Sequence, residues 1–301
     1  MNTPSESAGA GVDPPGIAPA AMTTRPLYWS VRRELWESRS ITIAPLAVAA
    51  IVLLGSLISV IVSASRLEAS QLSAFVRPVK MAPAAIMLAA FLVGVFYSLE
   101  ALYGERRDRS ILFWKSLPVS DLTTVLSKAI IPLAMLPLLA FLLSVVTQFC
   151  LLVVCGVILM GSGVSAPGVW AEVGFFKGLL VMLYGLTVHV LWFAPIYGWL
   201  LLVSSWARRT PILWAGLPPL GIALLERIAF GSSSFGSLLR YRVTGAMTEA
   251  FVAEAQHGDV DRLSQLDPAG FLGSLGLWMG LAFAASCLAA AARIRRYREP
   301  I

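Results

Sequence analysis

Few side chains in this 301-residue chain could do chemistry, and none of them falls in a recognised catalytic pattern. A His-rich metal site is excluded because the only histidines are His189 and His257. The phosphate-binding motif GxxxxGK(S/T) is absent, as are HExxH and GxSxG. Three cysteines lie inside apolar runs, where they are typical small packing residues: Cys150, Cys155 and Cys287. The sequence therefore predicts no catalytic residue, no metal site and no bound cofactor.

Ionisable residues within apolar segments are the remaining candidates, since a charge in a membrane is costly and often serves function. His189 lies near the middle of one apolar run, and Glu226 and Arg227 end another. We predict these three as path or gate residues. The alternatives are a packing role for His189 and snorkelling toward the headgroups for the other two.

The composition indicates a membrane protein. Hydrophobic residues make up 57% of the chain and charged residues only 13%, whereas a soluble domain carries about 25% charged residues. The net charge of +6 comes from basic residues at the ends of apolar runs, which is the pattern of a chain in a lipid bilayer. We therefore expect no nucleic-acid binding.

Charge-free runs mark the elements that must position these residues. A span needs about 20 apolar residues, and a charge at the bilayer centre costs roughly 2.5 to 3.5 kcal/mol. The prediction is an all-α, polytopic membrane protein with about six transmembrane helices in residues 41–295. The predicted spans are at about residues 41–64, 81–102, 126–160, 176–206, 211–230 and 269–292.

Two spans carry further local signals. Pro218-Pro219 predicts that the fifth span is broken or bent. Asp267-Pro268 predicts the N-cap and first residue of the sixth span. Gly276 and Gly280, at GxxxG spacing, predict a close helix contact within the subunit or between subunits.

Residues 1–24 are predicted to be a disordered tail, and residues 296–301 a second short tail. Most of the 23 Lys and Arg residues fall on one side if the N-terminus is inside, which predicts both termini in the cytoplasm.

Residues 25–40 predict an amphipathic helix at the membrane interface before the first span, because apolar and charged residues alternate at helical spacing. It is either a passive anchor or an elbow helix that moves with the spans. Its interfacial residues are expected to be Trp29, Arg32, Arg33 and Trp36.

The segment from Tyr103 to Lys128, YGERRDRSILFWKSLPVSDLTTVLSK, is longer than an inner loop needs. It predicts a short amphipathic helix at the cytoplasmic face, a break at a proline and a new helix start at a serine. Such a helix can place an apolar ridge in a partner's groove; the alternative is a solvated basic loop. The predicted docking residues are Glu105, Arg106, Arg107, Ile111, Phe113, Trp114, Leu117, Pro118 and Ser120.

This segment resembles the permease subunits of type-2 ABC exporters. The matching residues are Glu105, Arg106, Leu117, Pro118, Val119, Ser120 and Lys128. The family more often has Gly-Thr-Leu where this chain has Arg109-Ser110-Ile111. The likeness is specific in sequence only around this loop, and in topology it extends over the whole chain.

The resemblance implies that this loop is a coupling helix that docks on a cytoplasmic ABC ATPase, present as two separate subunits that bind ATP and Mg. It also implies a homodimer, or a heterodimer with a related permease, in a bacterial inner membrane. In the family, short re-entrant helices lie between the last two spans. Here that region is the outer segment 231–270, where Met247 to Gln256 predicts a short helix; a folded surface loop is the alternative.

Two other functions fit the sequence. One is a membrane scaffold or assembly protein with no transport path, and the other is an ion-coupled carrier, which would need paired acidic or histidine residues in the spans. The sequence does not identify a substrate, and peptides, lipid-linked sugars, drugs and ions all stay open.

Overall fold

The computed structural model describes residues 26–65, 72–115, 119–159, 170–171, 173–251 and 263–297. It is 92% helical and has no strand in these ranges. Six of its helices are long and apolar enough to cross a membrane. This confirms the predicted all-helical fold with six candidate spans. The predicted tail at 1–24 and residues 298–301 lie outside the described ranges.

The helices are numbered here along the chain. Their bounds are α1 Pro26–Glu37, α2 Ser40–Ser65, α3 Leu72–Arg107, α4 Ser110–Lys115, α5 Asp121–Ile130, α6 Leu136–Leu159, α7 Phe175–Trp206, α8 Pro211–Phe230, α9 Ser234–Ala250, α10 Pro268–Gly273 and α11 Leu275–Tyr297. A π-helical turn, Ile131–Met135, joins α5 to α6, so the two form one span. It contains Pro132, which cannot donate a backbone hydrogen bond to the preceding turn.

The helix α8 runs without interruption through Pro218 and Pro219. Of the two predicted alternatives, a break or a bend, the break is therefore wrong. Pro219 has no N–H for the carbonyl of Ala215, four residues earlier. The indole of Trp199, on α7, donates a 3.0 Å hydrogen bond to that carbonyl instead. A neighbouring helix thus satisfies the acceptor that the proline leaves open, as membrane helices permit.

The sixth span begins later than predicted. Asp267 is an N-cap, since its side chain accepts a 2.8 Å hydrogen bond from the N–H of Gly270. The helix that it starts is only α10, which ends at Gly273. Ser274 is extended, and α11 begins at Leu275. The span predicted at 269–292 is therefore a short helix, a break and then α11.

The basic end of the bundle is where α3 ends, α4 lies, α5 begins and α11 ends. The helix α7 packs along α11, and the two backbones are close at Gly198, where a Cβ would lie 3.2 Å from Ala284 Cα. The helix α8 lies on the outside, with only Pro211 buried.

Candidate functional site

Six charged side chains from four helices meet at the basic end. We call them the ion cluster. They come from α1, α3, α5 and α11 and are Arg33, Glu34, Glu105, Asp121, Lys128 and Arg295. With three acids and three bases, the cluster is neutral. It connects the N-terminal helix to the ends of three spans.

Lys128 lies at the centre of the cluster, with a side chain only 4% exposed. Its ammonium donates a 2.9 Å hydrogen bond to Oε1 of Glu34 and lies 3.1 Å from Oε1 of Glu105. One lysine on α5 thus bridges carboxylates on α1 and α3. The two acids are also buried, and this ammonium balances part of the negative charge of both.

Arg295 makes the second bridge. Its guanidinium, also 4% exposed, contacts Oε2 of Glu105 at 3.1 Å and Oδ1 of Asp121 at 2.5 Å. Because Arg295 is near the end of α11, it connects the last span to the same carboxylate that Lys128 binds. Glu105 is therefore shared by α5 and α11.

Glu34 has the most complete set of partners. Its Oε1 also accepts a 2.7 Å bond from Arg33, and its Oε2 accepts a 2.9 Å bond from the hydroxyl of Tyr97. Burial raises the pKa of this carboxyl, but the charges and hydrogen bonds of Lys128 and Arg33 outweigh it and hold the pKa below its usual value. Glu34 is therefore ionised at neutral pH.

The helix α4 is fastened to the ion cluster from one side. The guanidinium carbon of Arg33 lies 3.7 Å from the ring centroid of Trp114, a cation–π contact between α1 and α4. Ile111 is buried, and the hydroxyl of Ser110 donates a 3.4 Å hydrogen bond to the carbonyl of Glu105. The helix α4 thus contacts both α1 and α3.

The other side of α4 is open. Leu112 is 59% exposed and Phe113 is 61% exposed. Of the predicted docking residues on α4, Ile111 and Trp114 thus face the protein and Phe113 faces outward. Leu117 and Pro118 lie outside the described residues.

The structure places the remaining predicted docking residues in structural roles. Glu105 belongs to the ion cluster. Arg106 is 2% exposed and donates to the carbonyl oxygens of Ser204 and Ala207 at the end of α7. A positive charge there interacts favourably with the negative end of the helix dipole. These two buried residues offer no surface to a partner, in contrast to the predicted contact role.

Arg107 and Ser120 lie nearer the surface. Arg107 pairs with Glu100 at 2.9 Å, and both side chains are about half exposed. Ser120 is the N-cap of α5, because its hydroxyl accepts a 3.1 Å hydrogen bond from the N–H of Thr123. The helix start predicted at this serine is confirmed.

Arg109, between α3 and α4, has a φ of +57°. Residues other than glycine rarely adopt this left-handed conformation. The resembled family more often has glycine at this position. The turn that presents α4 thus has the backbone geometry that a glycine would favour.

We expect Arg109→Gly to stabilise the folded protein by about 1 kcal/mol, because glycine removes the left-handed strain. The measurement is equilibrium unfolding of the purified chain in detergent. Arg208→Gly is the matched control, since it removes the same charge from an exposed residue without a positive φ. If Arg109→Gly and Arg208→Gly lower the free energy of unfolding equally, the left-handed backbone of Arg109 is not strained.

The N-terminal helix α1 places its predicted interfacial residues on its outer side. Trp29 and Trp36 are 56% and 71% exposed. Arg32 lies between them, with its guanidinium carbon 5.3 Å from the Trp29 ring and 4.7 Å from the Trp36 ring. This exposed aromatic and basic face is typical of an interfacial helix, while Arg33 and Glu34 turn inward to the ion cluster.

The predicted path residues are not brought together. His189 is buried among Phe91, Phe193 and Tyr197, with its Nε2 3.4 Å from the hydroxyl of Tyr197. This placement fits the packing alternative.

Glu226 and Arg227 lie at the far end of α8. The carboxylate of Glu226 accepts hydrogen bonds of 2.8 Å from the backbone N–H groups of Ser234 and Phe235. It therefore caps the start of α9. Arg227 is exposed, and its carbonyl accepts the helix-ending bond from Gly231.

The helix α9, Ser234–Ala250, lies in the segment 231–270 and begins well before the helix predicted at Met247 to Gln256. Phe251 is extended, and residues 252–256 of that prediction lie outside the described residues. Arg242 of α9 donates a 2.6 Å hydrogen bond to the carbonyl of Gly276 and lies 4.5 Å from the Trp192 ring.

The two glycines of the GxxxG motif in α11 make room for α9. A Cβ at Gly276 would lie 2.5 Å from the hydroxyl of Tyr241, and one at Gly280 would lie 2.5 Å from Nη2 of Arg242. The predicted close contact therefore exists within the subunit, and side chains of α9 fill it.

Sequence reasoning missed four members of the ion cluster as site residues: the buried Glu34, Lys128 and Arg295, and the partly buried Asp121. One signal was available: Lys128 and Arg295 lie at the ends of apolar runs with acids at the ends of others.

Among the described residues, no group of three or more His, Cys, Asp or Glu side chains could hold a metal. Searches against family models, curated proteins and solved structures found no match.

Proposed function

We propose that this chain is the transmembrane permease subunit of an ATP-driven ABC exporter of the type-2 class. The basic end then faces the cytoplasm, and α4 docks on a separate ATPase subunit that binds ATP and Mg. The chain works as a homodimer or with a related permease in a bacterial inner membrane. It supplies the substrate path, and its partner supplies the hydrolysis.

The observation that supports this best is the two-sided placement of α4. Leu112 and Phe113 are exposed on a helix that lies outside the six candidate spans. On its inner side, Trp114 contacts Arg33 and thereby the ion cluster. A force applied to α4 would reach α1, α3, α5 and α11, which is the connection that a coupling helix requires.

The turn before α4 gives independent support. Arg109 has a left-handed backbone at the position where the resembled family more often has glycine. Ser120 begins the next helix in the matching Leu-Pro-Val-Ser segment. Local geometry and sequence resemblance therefore agree on the same short segment.

Photocrosslinking tests the docking directly. A photoreactive amino acid at position 113 of the full-length chain, expressed in its own host, is expected to capture a protein that binds Mg-ATP. The same probe at position 209, in the exposed link between α7 and α8, is the matched control and is expected to capture much less of it. Leu112→Ala combined with Phe113→Ala should weaken the interaction by tenfold or more.

The proposal is wrong if position 113 captures no nucleotide-binding protein while position 209 does, or if neither does in a preparation that is active. In the second case a membrane scaffold without an ATPase becomes the better interpretation.

A further inference from the structure

A cavity of about 540 Å³ opens at the basic end, between the first turn of α5 and the last turns of α11. It adjoins α4, because the ammonium of Lys115 donates a 3.4 Å hydrogen bond to the carbonyl of Arg296. Its lining combines polar and apolar side chains, among them Ser120, Asp121, Leu122, Arg293, Arg296 and Tyr297.

The lining is positively charged overall. Asp121 already pairs with Arg295 of the ion cluster, so its negative charge is balanced. Arg293 and Arg296 are exposed, and no carboxylate of the described residues forms an ion pair with either of them. The start of α5 adds the positive end of a helix dipole. Two guanidinium groups and a serine hydroxyl suit a phosphate group.

The position of the cavity indicates where that phosphate comes from. One candidate span begins at Asp121 and another ends at Tyr297, so in a bilayer that these helices cross, the cavity would lie near the lipid headgroups. Leu122 is 50% exposed in the cavity wall, and Leu126, one turn further into the span, is 37% exposed. An apolar surface thus continues from the cavity along α5, where an acyl chain could follow it.

We propose that this cavity binds the headgroup of an anionic phospholipid, with Arg293 and Arg296 on its phosphate. Basic pockets between spans are a recognised kind of lipid site. The inference does not depend on an ATPase partner, because all of its residues belong to this chain.

Native mass spectrometry of the purified full-length chain with added phosphatidylglycerol tests this. Arg293→Gln combined with Arg296→Gln is expected to weaken phosphatidylglycerol binding by about 30-fold. Arg208→Gln combined with Arg209→Gln is the matched control. It removes the same charge from exposed residues at the same end, and phosphatidylglycerol binding should stay near wild type.

A second variant distinguishes the effect of the cavity's shape on lipid binding from the effect of its charge. Leu122→Trp leaves both arginines in place and fills part of the cavity, so it should also weaken phosphatidylglycerol binding. Phosphatidylcholine should bind weakly to every variant, and millimolar inorganic phosphate should not displace phosphatidylglycerol.

Three outcomes would overturn the proposal. Equal lipid binding by the two double variants would exclude a specific role for Arg293 and Arg296. Displacement by inorganic phosphate would indicate a soluble anion instead of a lipid. Unchanged lipid binding together with loss of a bound ATPase would make the cavity a protein-docking site. Absence of any ATPase, by contrast, would overturn only the proposed function and leave the lipid result standing.

Discussion

Replacing Lys128 with methionine is expected to destabilise the folded chain by about 3 to 5 kcal/mol, the usual cost of removing one partner from a buried ion pair. Lys128 contacts Glu34 at 2.9 Å and Glu105 at 3.1 Å, and its side chain is only 4% exposed. Methionine fills a similar volume, so the loss would be mainly of charge. Two carboxylates would then be buried with one fewer positive charge.

Equilibrium unfolding of the purified chain in detergent measures this effect. Glu100→Gln is the control, because it breaks an ion pair with Arg107 whose side chains are about half exposed, and such pairs are worth about 0 to 1 kcal/mol. Adding Glu34→Gln to Lys128→Met removes a positive and a negative charge together and should recover part of the loss. The ion cluster is not a stabilising unit if Lys128→Met costs no more than Glu100→Gln.

Gly280→Val should cost about 2 to 3 kcal/mol, the second largest expected effect. A Cβ at Gly280 would lie 2.5 Å from Nη2 and 2.8 Å from Cζ of Arg242. The guanidinium would have to leave its 2.6 Å bond to the carbonyl of Gly276 and its contact with the Trp192 ring. Overpacking and the loss of a charged hydrogen bond each cost about 1 to 3 kcal/mol.

A double-mutant cycle distinguishes this mechanism from a general intolerance of α11. In an Arg242→Ala background, Gly280→Val should cost much less, because the side chain that it displaces is gone. Gly55→Val, where a Cβ would meet nothing within 4 Å, should be nearly neutral. If Gly280→Val lowers the free energy of unfolding equally with and without Arg242, displacement of Arg242 is not the cause of the loss.

The candidate spans could be predicted from sequence because a charge at the bilayer centre is costly, and the structure has six helices that are long and apolar enough to cross a membrane. Their ends were less predictable, since the same rule treats every charge as a boundary. Arg77 and Lys80 lie inside α3, and Arg295 lies inside α11. Pairing in the ion cluster removes the penalty for Arg295, and that pairing depends on tertiary contacts that are absent from the local sequence.

In the segment from Tyr103 to Lys128, too, the sequence predicts the local structure but not the tertiary contacts. Its amphipathic pattern correctly predicted a short helix and a helix start at Ser120. The pattern cannot tell which residues point outward: Trp114 is partly buried against Arg33 of α1 and Glu105 lies in the ion cluster, whereas Phe113 is exposed. Orientation depends on where Arg33 and Lys128 lie, and those residues come from helices that are distant in sequence.

In the proposed function, this chain carries the path and a separate protein supplies the energy. The most direct measurement is ATP hydrolysis by the full-length chain purified under mild conditions from its host, with identification of every co-purifying protein. We predict Mg-dependent hydrolysis that accompanies a bound ATPase subunit and is lost when Leu112→Ala and Phe113→Ala are combined. An active preparation that contains no nucleotide-binding partner would contradict the proposed function.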